Sequence, residues 1–160
     1  VADFIFNIAK GRIVEYANRI NVNDPANSVF QVSLWNYGAA TDDTIGDLDT
    51  VALVESNANA AELTSGTNAN YARKTINDAS GMTITVDDTN NRTDVDIADQ
   101  TWTALGAGTA VTDLVVAYDS DSTGGTDANQ VPVSSHDFVI TPDGSDVTAV
   151  INASGIFRAA

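Results

Sequence analysis

The sequence predicts a mainly β, single-domain fold of the β-sandwich type, with one short helix and an N-terminal arm. Three observations carry that expectation. Apolar and polar residues alternate over short stretches, and clusters of Asn, Asp, Gly and Pro separate those stretches. Thr, whose β-branched side chain suits half-exposed strands, recurs within them. A chain of 160 residues with 43% hydrophobic content is also long enough to bury one core of its own.

Residues 1–20 open the chain as an arm or first element, ahead of a single β-rich domain over 21–160. Phe4, Ile5, Phe6 and Ile8 are closely spaced there, which suits either a core strand or an arm laid on a partner. "GRIVEYANRI" (11–20) fits a strand through Val14, Tyr16 and Ile20 and a helix through Ile13, Ala17 and Ile20, so periodicity leaves both open. "VFQVSLW" (29–35) puts Phe30, Val32 and Leu34 on one strand face. "TIGDLDTVALVES" (44–56) predicts the short helix. Ile45, Leu48, Val51 and Ala52 share a side, Asp43 or Thr44 can cap it, and Asp47 and Asp49 suit its positive end. Residues 57–70 are small and polar and read as a loop.

Further on, "MTITV" (82–86) alternates Met82, Ile84 and Val86 with Thr83 and Thr85, and "TDVDIADQTW" (93–102) sets Val95 and Ile97 opposite Asp94 and Asp96. "LVVAY" (114–118) is apolar almost throughout, the pattern of a strand covered on both faces. "DFVIT" (137–141), "PDG" (142–144) and "DVTAVI" (146–151) read as a hairpin. Trp35 and Trp102 each end a candidate strand, as core residues or as anchors of a subunit contact.

Charge restricts function. With 22 acids against 7 bases the formal net charge is -15, which argues against direct nucleic-acid binding and against an anionic membrane surface. The charge is unevenly placed: residues 1–40 hold three acids and three bases, and the remainder holds 19 acids and 4 bases. No run reaches membrane-spanning length, no stretch has the basic-then-apolar pattern of a secretory signal, and there is no cysteine for a disulfide, thiolate site or thiol nucleophile.

The chemically suggestive motif is "YDSDSTGGTDAN" (118–129). Asp119, Asp121, Thr123 and Gly124 stand at positions 1, 3, 5 and 6 of a calcium-loop pattern, with Asp127 at position 9. Position 12 is Gln130 rather than a bidentate Glu, so the expectation is a polar turn that could hold structural calcium, with no catalytic role. Asp87, Asp88, Asp94 and Asp96 form another acidic cluster, in which a glycosidase-like pair would need a defined separation. His136 is the only histidine. It stands in "SSHD", whose adjacent residues point to opposite faces of a strand, and no GxSxG elbow or GxGxxG fingerprint is present.

The stretch "ADFIFNIAKGRIVEYANRINVNDPANS" (2–28) resembles a family of small virion proteins of tailed bacteriophages, encoded among head genes. The similarity continues through "NYARKTINDA" (70–79), "DDTNNRTDVDIADQTWT" (87–103), "VVAYDSDSTGGTDANQVPVSSHDFVITPDGSDVTA" (115–149) and "GIFRAA" (155–160). It is least characteristic over 36–69 and 104–112. The resemblance brings no catalytic motif. It implies a non-enzymatic capsid cement or decoration protein, a homotrimer bound to the major capsid protein on the virion surface and synthesised in the bacterial host cytoplasm. On that expectation Phe4, Phe6, Ile8, Arg12 and Tyr16 are the contact residues. The alternatives are a tail, fibre or adhesion module that binds a host glycan, and a hydrolase built on paired Asp residues.

Overall fold

The computed structural model describes residues 2–77, 79 and 81–159. The chain runs β1 (Phe4–Ile5), a 3-10 turn (Asn7–Ala9), α1 (Ile13–Val22), β2 (Val29–Asn36), α2 (Asp42–Gly46), α3 (Val51–Ser56), β3 (Ala61–Glu62) and β4 (Lys74–Ile76). It continues through β5 (Met82–Asp87), β6 (Arg92–Ile97), β7 (Gln100–Trp102), β8 (Val111–Asp119), β9 (Val131–Ile140), β10 (Val147–Ala149) and β11 (Phe157–Ala159). The fold is mainly β, 35% strand against 16% helix, so sheets set the frame.

The central sheet is antiparallel, in the order β1-β9-β8-β2-β3, with β4 sharing the outer edge of β2 with β3. Its middle strand β8 is apolar on both faces because both faces are covered. On one face, Phe30, Val32 and Leu34 of β2 lie opposite Tyr118, Val116 and Leu114 of β8. They share a core with Met82, Val95, Ile97 and Trp102 from the smaller strands. On the other, Trp35, Val115 and Ala117 pack with Phe6, Tyr37, Ile45, Val51 and Val54. Both tryptophans are core residues: the Trp35 indole N–H donates to Ser33 Oγ (2.8 Å) and that of Trp102 to the Ala72 carbonyl (2.9 Å).

A three-stranded sheet, β11-β6-β5, supplies the second layer. Val95 and Ile97 of β6 turn inward while Arg92 and Asp94 face out, as the alternation predicts. The outward residues form ion pairs, Arg158 to Asp94 and Arg92 to both Asp94 and Asp87. Two strands, β7 and β10, make a third small sheet.

The ambiguous segment 11–20 is helical. Ile13, Tyr16, Ala17 and Ile20 of α1 recur at three- and four-residue spacing and are all buried. α1 packs on β2 of the central sheet and on β5 and β6 of the smaller one. Tertiary burial decided what periodicity had left open. The helix stops at Asn23, whose left-handed backbone (φ 53°) lets its N–H bond the carbonyls of Arg19 and Ile20.

Three expectations need correction. The helix over 44–56 is two helices, α2 and α3, so helical content exceeds one short element. Each has its own threonine cap: Thr41 Oγ1 accepts from Thr44 N, and Thr50 Oγ1 from Leu53 N (3.2 Å). Asp43 and Thr44, expected as caps, lie inside α2.

The "PDG" hairpin does not form. The turn is stapled elsewhere, by Gly144 N–H to the Leu105 carbonyl (2.9 Å) and Leu105 N–H to the Ser145 carbonyl (3.0 Å). The chain is thereby led off the central sheet, and β10 pairs with β7 while β9 pairs with β8 and β1.

The N-terminus is a built-in first element, not a free arm. β1 is the edge strand beside β9, with Phe4 opposite Ser135 and Ile5 opposite Ser134. The phenylalanine spacing sends Phe6 into the core on the same face as Phe4.

Candidate functional site

The Asp-rich loop between β8 and β9 lies over a polar network that crosses the edge of the central sheet. Asp119, the last residue of β8, is buried. Its Oδ2 accepts from Gln31 Nε2 (3.1 Å) and Gln130 Nε2 (3.2 Å), and its Oδ1 from Asp121 N–H (3.0 Å). Asp121 turns the other way. Its Oδ1 accepts from Thr123 N–H (3.0 Å) and Thr123 Oγ1 (2.6 Å), and these bonds, the hydroxyl's first, hold its carboxyl below the usual range. Asp127 pairs with Arg73. Gly125 is required by proximity, because a Cβ there would stand 2.7 Å from Asp119 Oδ1 and 2.7 Å from the Asp121 carbonyl oxygen.

Arg73 ties the network together. Its guanidinium donates to both carboxylate oxygens of Glu62 on β3, to Asp127 and to Gln130 Oε1 (3.2 Å), and Glu55 of α3 lies 3.7 Å away. Burial pulls the guanidinium towards deprotonation, but the bonds to Glu62 and then Asp127 outweigh it and raise its affinity for the proton. Glu62 also accepts from the Tyr71 hydroxyl (2.6 Å), whose oxygen in turn accepts the Leu34 N–H (3.1 Å). Burial, then the charges of Asp127 and Glu62, push the Glu55 carboxyl up.

The four candidate calcium ligands are therefore bonded apart from one another as a set: Asp119 to Gln31 and Gln130, Asp121 and Thr123 to each other, and Asp127 to Arg73. Among the described residues no group of three or more acidic, His or Cys side chains is gathered as a metal site. Sequence reasoning missed Arg73, Glu62 and Gln31, and took Gln130 only as a departure from the loop pattern. No motif spacing links them, since they converge from three separate parts of the chain.

The expected contact residues divide. Phe6 and Tyr16 are core residues, and Tyr16 stacks on Tyr118 with ring centroids 4.5 Å apart. Neither is accessible to a partner, which corrects the expectation for both. Phe4 and Ile8 are half-buried against the α2 side, and Arg12 is exposed at the N-terminal cap of α1.

The lone histidine acquires partners the sequence did not reveal. His136 Nε2 lies 3.0 Å from Ser134 Oγ, two residues back on the same face of β9, and Nδ1 lies 3.4 Å from Asp3 Oδ2. The order Ser-His-Asp matches a nucleophilic triad, but the surroundings do not. Ser134 is buried mid-strand, flanked by Ile5 of β1 and Val116 of β8, with no turn to present oxyanion donors. The cluster is a clasp: Asp3 Oδ1 also accepts the Asp137 N–H (2.9 Å), fixing β1 to β9.

Asp113 is wholly buried on β8, where burial pushes its carboxyl up, opposed by the hydrogen bond from Thr112 Oγ1 (2.6 Å) and reinforced by the charge of Asp137. Of the acids in 87–96, Asp87 and Asp94 bind Arg92 and Arg158.

No family model matches the chain, and no curated protein and no solved structure matches it. No helix among the described residues is long and apolar enough to cross a membrane.

Proposed function

We propose that the chain is a non-enzymatic structural protein of a tailed-bacteriophage particle, a cement protein bound as a trimer to the major capsid protein on the outside of the head. The observation that carries the reading is the resemblance of residues 2–28, and of further stretches along most of the chain, to small phage virion proteins. Physical features support it. A net charge of -15 repels packaged DNA and keeps an abundant protein soluble. The polar clusters act as ties between strands and loops, with Asp3 fixing β1 to β9 and Arg73 joining Glu62 to Asp127. A cement protein works by burying surface across junctions between neighbouring subunits, which raises the free energy of separating them, and closed symmetry suits repeated identical sites.

Because residues 1–20 are folded into the domain, docking on this reading uses a preformed face rather than a clamp-like arm. Quantitative protein composition of purified particles tests the proposal. A copy number comparable to that of the major capsid protein is expected. A handful of copies per particle overturns it in favour of a tail, fibre or adhesion module that binds a host glycan.

A further inference from the structure

A cavity of about 430 Å³ lies where β9 meets the chain after β10. Leu114, Phe138, Ile151 and Ile156 give it an apolar wall, polar groups make up nearly half of its lining, and Val150, 76% exposed, also borders it. Asp3 and Asp137 also line it, beside His136, and they are adjacent, since the Asp137 N–H bonds Asp3. No Lys or Arg lines it.

The surrounding field is negative. Asp42 holds the Ala2 N–H (3.0 Å), and the charges of Asp137 and Asp42 both act on buried Asp113. Among the described residues no Lys or Arg pairs with Asp3, Asp42, Asp113 or Asp137. The chain's own seven bases lie elsewhere. Arg19 holds Glu15, Arg73 holds Glu62 and Asp127, Arg92 and Arg158 hold Asp94, Lys10 donates to Asn7, Lys74 lies over Trp102, and Arg12 is exposed at the N-terminal cap of α1.

A slot with one apolar wall, carboxylates at the other side, no Lys or Arg of its own and a single imidazole, His136, beside Asp3 has the chemistry of a receptor for an alkyl chain that ends in a positive charge. We propose that this cavity docks a lysine or arginine side chain of a different, partner polypeptide. The stem lies against Phe138, Ile151 and Ile156, the cation lies where Asp3 and Asp137 meet, and an apolar neighbour in the partner rests on Val150. The inference does not depend on the virion reading.

The test is an NMR titration of the ¹⁵N-labelled full chain with two capped tripeptides, Ac-Ala-Arg-Leu-NH₂ and its neutral analogue with norleucine in place of arginine. The expected result is saturable shifts at the amides of residues 136–138 and 149–156, with the arginine peptide about fivefold tighter, as an exposed ion pair allows. The double variant Asp3→Asn/Asp137→Asn should lose that advantage. It retains side-chain carbonyl acceptors, so a spectrum of unchanged dispersion is expected. Equal affinity for both peptides, shifts confined to other acidic loops, or no saturable shift up to about 20 mM peptide overturns the proposal. The comparison on the unsubstituted chain decides by itself if the variant does not fold.

Discussion

Replacing Arg73 by methionine keeps the apolar stem and removes the one cation that, among the described residues, faces Glu55, Glu62 and Asp127. The magnitude follows from their burial. Glu62 is the critical partner, its side chain only 7% exposed. Left alone it keeps the Tyr71 hydroxyl bond but loses its counter-charge. Removing one partner of a fully buried pair costs about 3–5 kcal/mol. Arg73 is 22% exposed and Asp127 30% exposed, so Asp127 can turn to water. The expected loss is therefore about 2–4 kcal/mol, or roughly 5–15 °C in Tm for a chain of this size.

Denaturant unfolding of Arg73→Met, Glu62→Gln and the double variant measures it. Glu62→Gln retains an acceptor for Tyr71 and should cost about 1 kcal/mol. The double variant should cost less than the sum of the two, because the uncompensated carboxylate is gone. The Arg73→Met defect should also shrink on acidification. The Glu55 carboxyl is already pushed up in the fold by burial and then by Asp127 and Glu62, and the charge of Arg73 opposes that rise, so removing Arg73 pushes it further up in the variant than in the parent. A group raised on folding takes up its proton in the folded state first, so stability is gained as pH falls through that value. A loss below about 1 kcal/mol for Arg73→Met, or strict additivity in the double variant, would show that the network stabilises nothing beyond an exposed ion pair.

Other outcomes follow from the same structure. Phe6→Ala should destabilise by about 3–5 kcal/mol, and deletion of residues 2–12 should compromise folding rather than release an arm; a deletion variant with an unchanged unfolding midpoint contradicts the core placement of Phe6. Calcium and chelator should leave Tm unchanged, because Asp119, Asp121 and Asp127 bind different protein partners; a reproducible rise with calcium would restore the metal-loop reading. The Asp94 carboxyl is held low by its bonds to Arg158, then by the charges of Arg158 and Arg92. Its contribution is present above the ordinary aspartate value of about 3.9 and is lost as pH falls through the lower folded value. Hydrogen exchange at Phe157–Ala159 should accelerate there before that of β8, and simultaneous loss of both would refute the local tie.

Much of the sheet was legible because strand alternation is a local property. "VFQVSLW" and "MTITV" became β2 and β5 within a residue of their ends, and the unbroken apolar run of 114–118 signalled a strand covered on both faces. Where the sequence misled, long-range contacts won. The two helices over 42–56 share one apolar stripe, but Thr50 offers a second cap and breaks the run. The Pro142–Gly144 turn has hairpin chemistry, and only its bonds to Leu105 send it elsewhere. The polar network was invisible for the same reason. Arg73 and Asp127 are 54 residues apart, and Gln31 and Asp119 are 88 apart. No local pattern encodes a meeting at that separation, whereas the loop they serve advertised itself through a metal-like spacing it uses for internal bonds.

The bond from Asp3 to the Asp137 N–H has a further consequence. A strand at the border of a sheet ordinarily offers its next free amide to any extended chain that drifts past, which is how folded proteins seed fibres. Here that amide is already taken, by a side chain that carries charge rather than by backbone. A neighbouring molecule would have to displace a carboxylate before it could add a strand at that point. The chain can therefore crowd at high local concentration with this part of its border sealed against uncontrolled polymerisation.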